Sequence, residues 1–441
     1  VAYLRIRAGD DAVWIHLLPE RDALAAAGAL ARRFPGPERP PLYGLPFAVK
    51  DNIDVAGVPT TAACPDFAYV PERTAPVVQR ALDAGAVLVG KTNLDQFATG
   101  LSGTRSPYGI VRNPFDPRII AGGSSSGSAV AVATGTVAFA LGTDTAGSGR
   151  VPAGLTATVG VKPSRGLVSS RGIVPACRSL DCASVFAGSV GDGAAVLACV
   201  AGPDPEDPWS RPLPVPPPEP ARRALAETRV GVPASGLDFD GDAEAERAFD
   251  RAVGRLVRAG ARLVPVDLRP FVEVGDLLYD GPWLAERTLE LDDFLARRPD
   301  ALHPVTRAVL ARAGDVSGRD VFRGLHALQG ARRRVAGTWD DVDVLLVPTA
   351  PTAPTVDRLL ADPLAANAVL GRYTNFVNLL DLAALAVPSE VTAGGVPVGV
   401  TFLAPAGADG LLLGVGAAWE RAVGGAAGRV LPVPSGGPPE A

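Results

Sequence analysis

The sequence predicts an α/β protein, a single large α/β/α layered domain with a helical cover over one end. Three observations predict it. Short apolar runs of strand length alternate with amphipathic helical stretches along most of the 441 residues. A central segment, 120–150 (IAGGSSSGSAVAVATGTVAFALGTDTAGSGR), sets an apolar run between two glycine–serine turns, as a buried helix leading into a buried strand would. From 271 to 339 the pattern turns helical. The expected limits are 1–423 for the layered domain, with a core at about 44–200 and the cover at about 270–340. Residues 424–441, rich in glycine and proline, form an expected frayed tail.

The elements follow in order. Residues 20–34 (ERDALAAAGALARRF) have high helix propensity and stop at Pro35-Gly36. A proline-rich link leads to 44–51, read as a short buried strand with Lys50 at its end. Residues 74–85 form a helix and 86–90 a strand, with Lys91 opening the next loop. The 120–150 segment adds a helix and a strand, 157–161 and 172–175 are short extended pieces, and 191–200 is a helix. The prolines of 202–220 exclude regular structure and make this stretch an ordered surface connection. Residues 229–232 are a strand, 242–260 a helix capped by Asp242, and 262–268 a strand. Helices at 279–297, 303–313 and 316–335 build the cover. The order closes with a strand at 343–347, a helix at 373–385, strands at 386–388 and 396–403, and a helix at 408–423.

Composition excludes several function classes. Net charge is −5 with both signs mixed throughout, and no basic stripe interleaves with aromatic residues, so nucleic acid is not an expected partner. No apolar run is long enough to cross a bilayer, and 129–141 is broken by Thr134, Gly135 and Thr136. The N-terminus lacks a secretory apolar region, so a cytoplasmic location is expected. Cys64, Cys177, Cys182 and Cys199 lack metal-ligand spacing and read as free thiols; no metal or cofactor is expected. Methionine is absent even at position 1, which reads as a trimmed N-terminus. Ser128 follows Gly127 where a phosphate-binding loop needs lysine.

Candidate chemistry lies in the serine turns. Glycine there lets a ligand approach the main chain, and successive N–H groups can stabilise an anion. The serines are nucleophiles or turn formers, and composition alone favours turn formers. His16, His303 and His326 all lie away from the turns, so a serine–histidine triad would need a distant imidazole. Of 42 basic residues only Lys50, Lys91 and Lys162 are lysine. Burial can strip a lysine of its proton and make it a base, which arginine does not permit. Lys50 follows Phe-Ala-Val, where a charge is costly unless paired or neutralised. Lys162 reads as a chance survival.

Lys50, the Gly122–Ser128 run and the Thr145–Ser148 turn together resemble the amidase signature family. The stretches that carry the likeness are GGSSSGSAVAVA and LGTDTAGSGRVPA, with Ser124 and Ser148 separated by 24 positions. The resemblance runs from the strand at 44–51 to TFLAPA at 401–406 and implies a mixed sheet. It also implies that Ser148 is the nucleophile, Ser124 a bridging serine after a cis peptide at Gly123–Ser124, and Lys50 the base. The backbone N–H groups of Thr145, Ala146, Gly147 and Ser148 are then expected to form an oxyanion hole, and Asp144 to shape the turn.

Within that family, LDQFATG at 94–100, RGIVPACRSLDC at 171–182, YDGPWLAER at 279–287 and YTNFVNLLDLAALAVP at 373–388 resemble the allophanate hydrolase branch. The implied substrate is a small urea derivative bearing a carboxylate, for which the likeness nominates Arg287, Tyr279 and Gly100. Pro282 places Tyr279 before a helix and Arg287 within it. A homodimer is the expected assembly. The resemblance also implies a second, C-terminal domain in many relatives that acts on the product; whether one has been removed here or the later steps occur elsewhere or spontaneously stays open. A different small amide, an aminoacyl-tRNA transamidation complex and a non-catalytic assembly role are the alternatives. The missing basic stripe argues against the tRNA complex, and retention of all three catalytic positions against the assembly role.

Overall fold

Eleven strands join in one mixed sheet in the computed structural model, which describes residues 1–424 apart from 222 and 280. They are β1 (Trp14–Leu17), β2 (Pro46–Lys50), β3 (Val87–Thr92), β4 (Phe139–Asp144), β5 (Val159–Lys162), β6 (Cys182–Ala187), β7 (Arg229–Ser235), β8 (Arg262–Asp267), β9 (Val344–Pro348), β10 (Leu382–Val391) and β11 (Pro397–Pro405). Their order across the sheet is β1-β3-β2-β4-β6-β5-β10-β11-β9-β7-β8. Parallel trios β3-β2-β4 and β9-β7-β8 flank an antiparallel centre, and β1 closes one edge antiparallel to β3.

Side chains of successive strand residues point to opposite faces, and the core divides accordingly. Phe47 and Val49 of β2 join Phe139 and Leu141 of β4 in the largest apolar cluster, under the helices Pro76–Asp83, Val190–Val200, Ala243–Arg258 and Asp409–Val423. Ala48 belongs to the cluster on the other face, with the fully buried helix Ser126–Ala133. Alternation therefore turns Lys50 toward the face that carries the serine-rich loop.

Several elements differ from the sequence reading. A helix at Ala2–Ala8 and strand β1 were unforeseen, as were helices at Val356–Ala361 and Ala365–Leu370. Lys91 does not open a loop; it lies inside β3 because its ammonium pairs with Asp51 at 3.0 Å in the interior. Residues 172–175 contribute only an isolated bridge between Ile53 and Ile173. The expected helix at 279–297 breaks into Trp283–Glu286 and Asp292–Arg297. Pro282 is the N-cap of the first, and Arg287 stands at its C-cap rather than within it. The 373–385 helix shrinks to Asn375–Leu379, because Leu382 onward pairs with β11 and β5 as a central strand.

The Asp242 cap is as expected: its carboxylate accepts N–H bonds from Glu244 and Ala245. Gly424 ends the last helix in the left-handed conformation, and the remainder of the expected tail lies outside the described residues. The cysteines are free thiols. No described helix is long and apolar enough to cross a membrane.

Candidate active site

Lys50 ends β2 and Thr143 lies one residue before the end of its parallel neighbour β4, so both stand at the carboxyl edge where open α/β sheets bind ligands. The Lys50 ammonium nitrogen is 2.7 Å from Ser124 Oγ and 2.7 Å from Thr143 Oγ1. Lys50 and Ser124 are both fully buried. The peptide bond Gly123–Ser124 is cis. Ser125 stitches this loop to the second turn: its hydroxyl donates to Thr143 O at 3.2 Å. An added Cβ at Gly123 would lie 2.5 Å from Gly103 N and 2.9 Å from Ser102 N, so only glycine fits.

Burial lowers the Lys50 pKa from its ordinary 10.5 to about 7, and the carboxylates of Asp95, Asp181 and Asp144 pull against that fall. Phe47 and Val49 pack on the opposite face, so enclosure by the loops and neighbouring strand strips this amine of water. The other lysines are also fully buried. Lys162 is therefore no chance surface survivor; its ammonium donates to Pro163 O at 2.9 Å and to Cys182 Sγ at 3.6 Å.

Ser148 sits in the turn that follows β4 and is 2% exposed. Its hydroxyl makes no hydrogen bond among the described residues, so the direct Lys50–Ser124 bond is not continued to Ser148 in this structure. Asp144 shapes that turn. Its carboxylate accepts N–H bonds from Gly147 and Gly149, each at 3.0 Å, and takes the Arg150 guanidinium in a two-point grip at 2.9 and 2.8 Å. Burial acts to raise this carboxyl, but Arg150, together with Lys162 and the Gly149 N–H, outweighs it and holds the group below its ordinary value. Arg150 is itself tied to Thr374 O and Asn378 Oδ1.

The Gly147 N–H is engaged by the Asp144 carboxylate, whereas the Thr145, Ala146 and Ser148 N–H groups have no protein acceptor among the described residues. Gly147 is needed for a steric reason. Its φ is +132°, and an added Cβ would run into Thr374. The Thr145 hydroxyl donates to Asp181, whose carboxylate also accepts N–H from Ala176 and Cys177.

Arg287 is 3% exposed and has no carboxylate within ion-pair distance among the described residues. Its guanidinium lies 5.0 Å from the Tyr279 ring centre and donates to Tyr279 Oη and Thr99 Oγ1, each at 3.4 Å. Its Nε has no partner among the described residues. Gly100 adjoins Thr99, with φ +159° and no room for a Cβ beside Asp95 Oδ2 at 2.7 Å. Tyr279 also lines a cavity of about 410 Å³ with Leu277, Pro282 and Gly324. The fold thus brings Tyr279, Arg287 and Gly100 together.

The four stretches that carried the finer resemblance meet here. Ser179 N and Oγ donate to Glu286 at 2.7 and 2.6 Å, and Trp283 Nε1 donates to Ser179 Oγ at 3.2 Å. Gln96 Oε1 accepts the His303 N–H at 2.7 Å, tying the cover to the 94–100 loop. Asn378 Nδ2 donates to Asp144 O at 2.8 Å and Leu180 O at 2.9 Å. Sequence reasoning missed Thr143, Arg150, Asp181 and Arg105. Nothing in their spacing separates them from ordinary polar residues; Asp144 alone was assigned to the turn.

Comparison with known proteins places the chain in a family. The amidase family model matches residues 2–413. The chain is 44% identical over 409 residues to urea amidolyase of Lachancea kluyveri, covering 92% of this chain and 22% of that protein. It is 36% identical over 413 residues to 2-amino-5-chloromuconic acid deaminase of Comamonas testosteroni, covering 92% of this chain and 86% of that one. Superposition on Kluyveromyces lactis allophanate hydrolase gives a TM-score of 0.90 at 41% identity, covering 96% of this chain and 69% of that one. The chain thus spans 22% of the length of the urea amidolyases it matches.

Proposed function

The chain belongs to the amidase family and is an amidohydrolase, and from that premise we propose that it hydrolyses allophanate (urea-1-carboxylate) with Ser148, Ser124 and Lys50. The observation that carries the reading is a buried amine, its pKa lowered to about 7, within 2.7 Å of a serine hydroxyl. A neutral amine is a base; the ammonium is not.

Ser148 Oγ attacks the terminal amide carbon while its proton passes to Ser124 and the Ser124 proton to Lys50. The carbonyl oxygen becomes an oxyanion facing the free N–H groups of the 145–148 turn, worth about 3 kcal/mol per donor. The C–N bond then breaks, the nitrogen takes the proton back from the relay, and ammonia leaves an N-carboxycarbamoyl ester on Ser148. Water, deprotonated through the same relay, attacks the ester; the Ser148 oxygen leaves and regains the proton, and N-carboxycarbamate is released and loses CO2. Arg287, with Tyr279 and Gly100 beside it, grips the substrate carboxylate.

Ammonia release from allophanate tests the reading, against biuret and simple aliphatic and aryl amides. Wild-type activity retained by Ser148→Ala or Lys50→Ala refutes the relay. A preference for uncharged amides refutes the substrate assignment. A cytoplasmic homodimer working in urea degradation belongs to the same proposal. Light scattering that gives a monomer mass rejects the dimer.

A further inference from the structure

A second arginine lies beside Arg287 with the same unusual surroundings. Arg105 is 1% exposed, no carboxylate stands within ion-pair distance of it among the described residues, and its Nε lacks a partner. Its two remaining nitrogens donate to carbonyls, to Thr99 O at 2.8 Å and Pro363 O at 3.0 Å. Thr99 also accepts from Arg287 through its hydroxyl. One residue thus carries both guanidinium groups. Gly100, with no side chain, lets the Arg105 stem run alongside; a Cβ there would lie 3.1 Å from Arg105 Cδ.

The nearest acid on the same loop, Asp95, spends its carboxylate on backbone N–H bonds from Ser102, Gly103 and Arg105. Two buried cations repel each other and gain little from neutral carbonyls, an arrangement that a bound anion relieves. Burial is the main cause that lowers the Arg105 pKa; Asp95 and Tyr279 pull against it, and the neighbouring Arg287 adds to the fall.

We propose that Arg105 is a specificity-determining positioning residue: through Thr99 it holds the Arg287 guanidinium, and its own buried charge tunes the pocket for a carboxylate. The inference rests on the carboxylate-bearing substrate proposed above. Malonate, in which a second carboxylate replaces the amide, probes the pocket by calorimetry without turnover. Wild-type protein that does not bind malonate overturns the substrate assignment and this inference with it. With wild-type binding established, Arg105→Gln is expected to raise the malonate Kd about tenfold. Its kcat/KM for malonamate should fall about tenfold further than for propionamide, chiefly through KM. An unchanged Kd, or equal losses on both amides, overturns the role of Arg105 and leaves the substrate assignment standing. If Arg105→Gln does not fold, Arg105→Lys keeps the charge but cannot span Thr99 and Pro363. The same selective rise in Kd is expected there, and an unchanged value overturns the proposal.

Discussion

Lys50 is a buried amine whose charge is opposed by desolvation and supported through space by Asp95, Asp181 and Asp144, with two hydroxyls and no carboxylate as its direct partners. Its consequence for activity has a definite sign. The relay needs the neutral amine, so kcat/KM should rise with pH and level off above about 7. Lys50→Arg, a permanent cation, should abolish the rise and cut kcat about a thousandfold or more, measured by ammonia release. Stability follows the same group. Between about 7 and the ordinary 10.5 the unfolded chain binds a proton that the folded chain does not, so this contribution to unfolding free energy grows as pH rises. Relative to Lys50→Met, wild type should gain at most about 1.4 kcal/mol per pH unit across that window. Parallel denaturation curves at pH 7.5 and 9.5 would show that Lys50 keeps its proton. Asp144 obeys the opposite logic. Replacing it with Asn leaves Arg150 buried without its counter-charge, for an expected loss of about 3–5 kcal/mol in chemical denaturation.

At the scale of elements, the site is assembled where loops leave parallel strands. β2 delivers Lys50, β4 delivers the Ser148 turn, and the loop before Ser126–Ala133 delivers Ser124. The short helix Trp283–Glu286 carries Arg287 at its C-cap and docks on the 176–182 loop through Glu286 and Ser179. Glu286→Ala should therefore raise KM for the carboxylate substrate more than it lowers kcat. The folding cost should stay near about 1–2 kcal/mol, the scale of two lost hydrogen bonds at a half-buried site. Equal changes in kcat and KM for charged and uncharged amides would count against this coupling.

Across the whole molecule, one sheet links the site to distant layers. Trp419, fully buried on the last helix, donates to Pro388 O at 3.0 Å and packs on Phe402. Trp419→Ala should cost about 3–5 kcal/mol in thermal or chemical unfolding while leaving KM intact where the protein stays folded. The sequence by itself determined the layered α/β class, the two serine turns, the Asp242 cap and Lys50 as the residue to watch, because periodicity, glycine placement and scarcity are local or compositional signals. It also supplied, through resemblance, Ser124, Ser148, Tyr279, Arg287 and Gly100. Tertiary structure alone decided that Lys91 and Lys162 are interior, that 382–385 is strand, and that Arg287 ends a one-turn helix. It alone showed that Gly147 spends its N–H on Asp144. These outcomes depend on which groups meet across tens or hundreds of residues. Burial, ion pairing and strand pairing at that range override the local preferences a sequence displays.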